Sequence, residues 1–249
     1  MQSILKAVFG GRWYLKKSRV DLSIHALTVT GILAGMAALV SVLDKSPTSA
    51  VVWMMIAVLI DGVDGPIARR WMSDAKLPRF DGYVLDLVID YVTCVIVPVA
   101  FMWQFDVVSH GLIGKFAIAA ILGSSALWFS QTSIETPDHW FKGFPAAWNL
   151  VIPTIWLIGL DTELNIAISF LLALLTLSNV EFPHTLRVIR FRAINIAATS
   201  FWMICLIVFS FRVTYMSLAE VLMLLVGPIC IGTIVFVRAF EKDALPAIS

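Results

Sequence analysis

The chain reads as a succession of long apolar stretches separated by short polar breaks, and the stretches have the length of helices rather than strands. Eight of them approach or exceed what about 30 Å of hydrocarbon asks of a helix. They fall near 22–43, 50–72, 82–104, 111–131, 145–160, 163–181, 194–211 and 217–237. The fifth is the shortest and carries Pro145 and Pro153, so a kink is expected there. Ahead of the first, Ile4, Leu5, Val8, Phe9, Trp13 and Leu15 are mixed with Lys6, Arg12, Lys16, Lys17 and Arg19. That mixture suggests an amphipathic helix over 1–20 lying on a membrane surface. The expected fold class is therefore all-α: a polytopic membrane bundle of about eight transmembrane helices plus an N-terminal interfacial helix. No internal repeat or low-complexity linker is found, so residues 1–249 are expected to form a single integral-membrane domain.

Composition agrees. With 59% hydrophobic residues, 14% charged residues and nine Trp, a soluble domain is excluded and no nucleic-acid partner is expected. The first 20 residues lack the uninterrupted apolar core of a cleaved signal peptide. Cys94, Cys205 and Cys230 each sit in an apolar run without paired spacing, which suggests small core residues rather than disulfides or a zinc site.

A net charge of +1 says little, but its distribution says more. If the N-terminus is cytoplasmic, the inside segments collect Lys6, Arg12, Lys16, Lys17, Arg19, Arg69, Arg70, Lys76, Arg79, Lys142, Arg187, Arg190, Arg192, Arg238 and Lys242. The other side keeps Lys45, Lys115 and Arg212. This asymmetry places both termini and the loop after the second span in the cytoplasm.

Against that apolar background stands Asp61-x2-Asp64-Gly65-x2-Ala68-Arg69-x12-Gly82-x3-Asp86-x3-Asp90. One Asp at the centre of a spanning helix costs about 2.5–3.5 kcal/mol on insertion scales, so four together need cations nearby. Asp61 and Asp64 share a helix face near the cytoplasmic end of the second span, and Asp86 and Asp90 do the same at the start of the third. Two antiparallel neighbours bring both pairs together. An all-oxygen set suits Mg²⁺ or Mn²⁺ rather than Zn²⁺, and two ions roughly 3.5–4 Å apart are the arrangement expected for phosphoryl chemistry. Gly65 and Gly82 would let a phosphate approach the backbone, with Arg69 in reach of it. Taken singly, an Asp near a helix end is a solvated cap and a Gly in a membrane helix is a packing residue. Eight fixed positions at these intervals are a different matter.

The stretch 61–90 resembles the signature of the CDP-alcohol phosphotransferase family, membrane enzymes that join a CDP-activated donor to an alcohol and release CMP. The gap between Arg69 and Gly82 is longer than the family's usual one. That gap, the eight spans and the segment Phe141-Lys142-Gly143-Phe144-Pro145-Ala146-Ala147-Trp148-Asn149 resemble the bacterial phosphatidylcholine synthase branch. The resemblance implies transfer of the phosphatidyl group of CDP-diacylglycerol to choline at the bacterial inner membrane, with Mn²⁺ or Mg²⁺ as cofactor and a homodimer as the assembly. It also implies that Asp61, Asp64, Asp86 and Asp90 hold the metal and that Asp90 takes the proton of the choline hydroxyl. Asp61, Gly65, Ala68, Arg69 and Gly82 would line the CDP pocket, whereas Asp74 and Asp81 are expected to be solvated.

Choline offers a quaternary ammonium that aromatic faces recognise, each contact being worth about 0.5–2 kcal/mol. Trp148, Trp140 and Tyr83 are the first candidates, with Glu135, Asp138 and Glu181 as available acids. Two alternatives stand beside this reading. Serine, inositol phosphate or glycerol phosphate could be the acceptor, although the third to sixth spans offer few Lys or Arg for an acceptor's own phosphate. A cation transporter is the other, but it predicts acids through the depth of the bundle rather than at one face.

Overall fold

The computed structural model describes residues 29–71, 82–212 and 216–244. The expected interfacial helix over 1–20, and Asp74 and Asp81, lie outside the described residues. Eight helices follow in order: α1 Val29–Leu43, α2 Pro47–Trp71, α3 Gly82–Gln104, α4 Leu112–Phe129, α5 Trp148–Ile158, α6 Thr162–Thr176, α7 Arg192–Ser210 and α8 Leu218–Ala244. Each coincides with one of the eight expected spans. Four are long and apolar enough to cross a membrane, namely α3, α4, α7 and α8 over Leu218–Glu241. The apolar parts of the others are shorter. The chain is a multi-pass membrane protein.

Local chemistry sets the boundaries. α2 opens with Pro47 behind Ser46, where a missing N–H costs nothing. α5 ends at Gly159, whose left-handed backbone lets its N–H reach the carbonyls of Ile155 and Trp156. Pro153 lies inside α5, but Pro145 precedes it, so the expected fifth span starts three residues late, at Trp148. α6 also stops earlier than expected, because residues 181–183 leave the helix to form a strand. Strands β1 (Trp140–Lys142) and β2 (Glu181–Pro183) pair antiparallel, with Phe141 opposite Phe182. Gly143 makes the turn out of β1 possible: its φ is +86°, its N–H donates to Val180 O at 2.8 Å, and a Cβ there would collide with the Thr176 carbonyl.

The core lies along α3 and α5, where Phe101, Met102, Trp148 and Ile152 meet Met54 and Met55 of α2 and Leu206 of α7. Buried polar groups tie the ends of the bundle. At one end Thr48 Oγ1 donates to Ser210 O at 2.5 Å and Asn165 Nδ2 to Val107 O at 2.9 Å. At the other, Trp128 Nε1 donates to Lys142 O at 2.8 Å, joining α4 to β1. α7 and α8 approach closely at Gly227, where a Cβ would lie 2.5 Å from Trp202 Cβ and 3.1 Å from Ala198 O. Gly227→Ala should therefore destabilise the fold by about 1–3 kcal/mol, read as an earlier melting transition in detergent. Gly232→Ala is the control, since nothing lies within 4 Å of its Cβ position.

Candidate active site

α2 runs toward the end of the bundle that holds the strands, and α3 starts there, so the late turns of one meet the first turns of the other. Asp86 and Asp90, four residues apart, share one side of α3. One carboxylate oxygen from each of Asp61, Asp86 and Asp90 lies within 4.8 Å of the other two. Asp61 is exposed; Asp86 and Asp90 are half-buried. Three like charges at that separation repel by roughly 3 kcal/mol per pair at an effective dielectric of about 20. The donor set therefore fits a hard divalent cation, which this oxygen-only chemistry favours.

Gly31 of α1, Ala57 and Ile60 of α2, and Ile89 and Thr93 of α3 complete the walls of the pocket around the three acids. A Cβ on Gly31 would stand 3.3 Å from Ile89 Cγ2 and 3.8 Å from Ile60 Cγ2, so bare backbone of α1 closes the back of the site. Neither Gly31 nor Thr93 was anticipated from the motif. The spacing of Gly31 and Gly35 on α1 was the available signal: a Cβ on Gly35 would lie 2.9 Å from Thr93 Cγ2, so both glycines mark where α1 meets α3.

Three of the four expected ligands thus come together. Asp64 follows Asp61 on α2, but its side chain and those of Ala68 and Arg69 lie outside the described residues, as do the surroundings of Gly65. Gly82 is the first residue of α3. The aromatic candidates separate. Tyr83, 59% exposed, stands one residue further along α3. Trp148 is enclosed and its Nε1 donates to Ser125 Oγ at 2.9 Å. Trp140 is enclosed as well, with the Arg238 guanidinium 4.8 Å from its ring centroid.

The spare acids are committed to neighbours. Glu135 pairs with His139 at 2.7 Å and Arg187 at 3.0 Å. Glu181 and Asp138 both hold Arg238, at 2.7 and 3.0 Å. Burial pushes the Asp138 carboxyl up, but the Thr136 hydroxyl and the Arg238 charge outweigh it and hold the group below the usual carboxylate range. The loop after β2 packs on α2: Leu186 Cδ1 lies 3.8 Å from where a Cβ on Gly62 would be, one residue after Asp61. Asn195 of α7 secures that loop by donating to the carbonyls of His184 and Thr185.

The family profile of the CDP-alcohol phosphatidyltransferases matches residues 25–178, which include all three acids and their pocket walls. The chain belongs to the CDP-alcohol phosphatidyltransferase family. It is 38% identical over 181 residues to a phosphatidylcholine synthase of Pseudomonas aeruginosa, covering 73% of this chain and 76% of that one. A phosphatidylcholine synthase of Mesorhizobium japonicum is 34% identical over 180 residues, 72% of this chain and 67% of its own. One from Rhizobium meliloti is 34% identical over 184 residues, with 72% and 74% covered. Membership agrees with the geometry, since the acid cluster and its pocket lie within the matched residues.

Proposed function

We propose that this phosphatidyltransferase joins CDP-diacylglycerol to choline, yielding phosphatidylcholine and CMP. The observation that carries the reading is the convergence of Asp61, Asp86 and Asp90 in a pocket of otherwise apolar walls. The names of the relatives at 31–38% identity support choline as the acceptor.

Held by Asp61, Asp64, Asp86 and Asp90, two Mn²⁺ or Mg²⁺ ions would neutralise the pyrophosphate and the charge that develops on it. The protein does the rest. Gly65, Ala68, Arg69 and Gly82 form the CDP pocket with Asp61, and Arg69 contacts phosphate. Asp90 accepts the proton of the choline hydroxyl as that oxygen bonds to the diacylglycerol-bearing phosphorus and the bond to the CMP oxygen breaks. Ala57, Ile60 and Ile89 line the pocket with hydrocarbon and disfavour water as a competing nucleophile. Tyr83, exposed and three residues ahead of Asp86 on α3, meets the quaternary ammonium. Trp148 and Trp140 act from behind, by fixing the start of α5 and β1.

The same reading puts the acid cluster, the strands and both termini on the cytoplasmic side of the bacterial inner membrane, with the protein as a homodimer. The cationic end of the bundle supports this orientation: Arg187, Arg190 and Arg238 lie there, while Lys45 and Arg212 lie at the other end. A reporter fused after Ser249 should be active only in the cytoplasm; external activity would overturn the orientation. Purified protein with CDP-diacylglycerol, Mn²⁺ and choline should release CMP, and serine, inositol phosphate or glycerol phosphate should not replace choline. CMP release with one of these and none with choline would overturn the acceptor.

A further inference from the structure

The helix that carries Asp86 and Asp90 changes character directly after them. Over Tyr91–Ile96 it is a π-helix, and the Val97 N–H reaches back to Val92 O. Such wide turns inside α-helices gather at functional sites because they add a residue to the turn and re-aim the side chains around it. Here the re-aimed side chains include Thr93, which lines the pocket beside Asp90.

Tyr91 anchors the start of this turn by donating to Leu122 O at 3.0 Å, and Thr93 and Cys94 hold its middle. Thr93 Oγ1 donates to Ile89 O at 3.1 Å and lies 3.8 Å from Cys94 Sγ. Cys94 Sγ in turn accepts a hydrogen bond at 3.2 Å from Nδ2 of Asn149, in the first turn of α5. Asn149 is 2% exposed. A thiol is a weak acceptor. The bond to Cys94 returns little of the cost of burying the Nδ2 donor, so stability alone is a poor reason for an Asn at this position. Its reach ends at the turn next to Asp90.

We propose that Asn149 is a positioning residue for phosphatidyl transfer: through Cys94 it holds the π-turn that sets the bearing of Asp90 and Thr93 toward the acceptor hydroxyl. This rests on Asp90 receiving the acceptor's proton, but not on the acceptor being choline. Misplacing a base by a fraction of an ångström lowers the rate of the chemical step and leaves donor binding in place, while the other three carboxylates still hold the metal.

The test is a double-mutant cycle on kcat. Asn149→Leu and Cys94→Val should each lower kcat about tenfold, while KM for CDP-diacylglycerol stays within about twofold. The double variant should also be about tenfold slower rather than about a hundredfold, because both changes cut one link. Cys94→Ser restores an oxygen acceptor for the amide and should recover most of the rate lost in Cys94→Val. Multiplicative losses, or single variants with wild-type kcat and only a lower melting temperature, would overturn the proposal. If Asn149→Leu fails to fold, Cys94→Val against Cys94→Ser decides the matter with Asn149 in place. The assay uses whichever alcohol supports CMP release by the wild type, so failure of choline would sink the acceptor assignment and leave the cycle readable.

Discussion

Asp90→Asn is expected to lower CMP release by about a thousandfold with no loss of folded protein. Two losses combine: Asn cannot take the proton from the acceptor hydroxyl, and a neutral amide is a poorer ligand for a hard cation. Asp86→Asn should be comparably impaired through metal binding, and Asp61→Asn through metal and CDP binding together. Stability separates this prediction from mere damage to the fold. In wild type, the three carboxylate oxygens within 4.8 Å repel one another, so neutralising one should leave the metal-free protein as stable as before or slightly more so. Mn²⁺ should raise the melting temperature of wild type, since a ligand bound only by the folded state stabilises it, and should do so far less in Asp86→Asn. Removal of divalent ions by a chelator should abolish turnover, and Mn²⁺ should restore it. An Asp90→Asn protein within about threefold of wild-type activity would remove Asp90 from the chemistry.

The acid cluster was legible because carboxylates in a chain of 59% hydrophobic residues have few explanations, and their spacing already fixes a shared helix face. The helices were legible for a related reason: long apolar runs broken by polar residues mark spans whatever the bundle does with them. What lies inside the bundle was harder to read. In a soluble protein an apolar stripe points at the core, but lipid accepts the same side chains. Leu59 and Val88 are 54% and 58% exposed, whereas Met55 and Phe101 are wholly buried, and nothing in their chemistry distinguishes them. The same ambiguity covers the aromatics, so Trp140 and Trp148 turned out enclosed while Tyr83 is open. Gly31 joins the pocket by helix packing across a long sequence separation, and Thr93 by standing one turn beyond Asp90 on a helix whose turn is locally widened. The π-turn at Tyr91–Ile96 has no residue signature, and the three-residue strands are too short for a period-2 pattern to show.

The second large effect is expected at Arg238. Its Nε donates to Glu181 Oε2 at 2.7 Å, its Nη2 lies 3.0 Å from Asp138 Oδ2, and its guanidinium covers the Trp140 ring. It is the tie between α8 and the strand pair. The Glu181 side chain is 5% exposed, so Arg238→Met would leave a buried carboxylate without this counter-charge, at a cost of about 3–5 kcal/mol. For a chain of this size that corresponds to a fall in melting temperature of roughly 6–20 °C. Arg238→Lys should recover part of the loss, because an ammonium cannot serve both carboxylates with the planar fork of a guanidinium. Adding Glu181→Gln to Arg238→Met should recover more, since it removes the buried charge itself. Arg190, paired with Glu241 at 58% and 38% exposure, gives the contrast: Arg190→Ala should cost less than about 1 kcal/mol. Acid adds a second check. Asp138 is held below the usual carboxylate range by Thr136 and Arg238 despite its burial, so its contribution is intact above that range and fades as the pH falls through its lowered value. The melting temperature of Arg238→Met should therefore depend less on pH in the acid range than that of wild type. Equal slopes for the two proteins would mean that Arg238 does not act on Asp138 in this way.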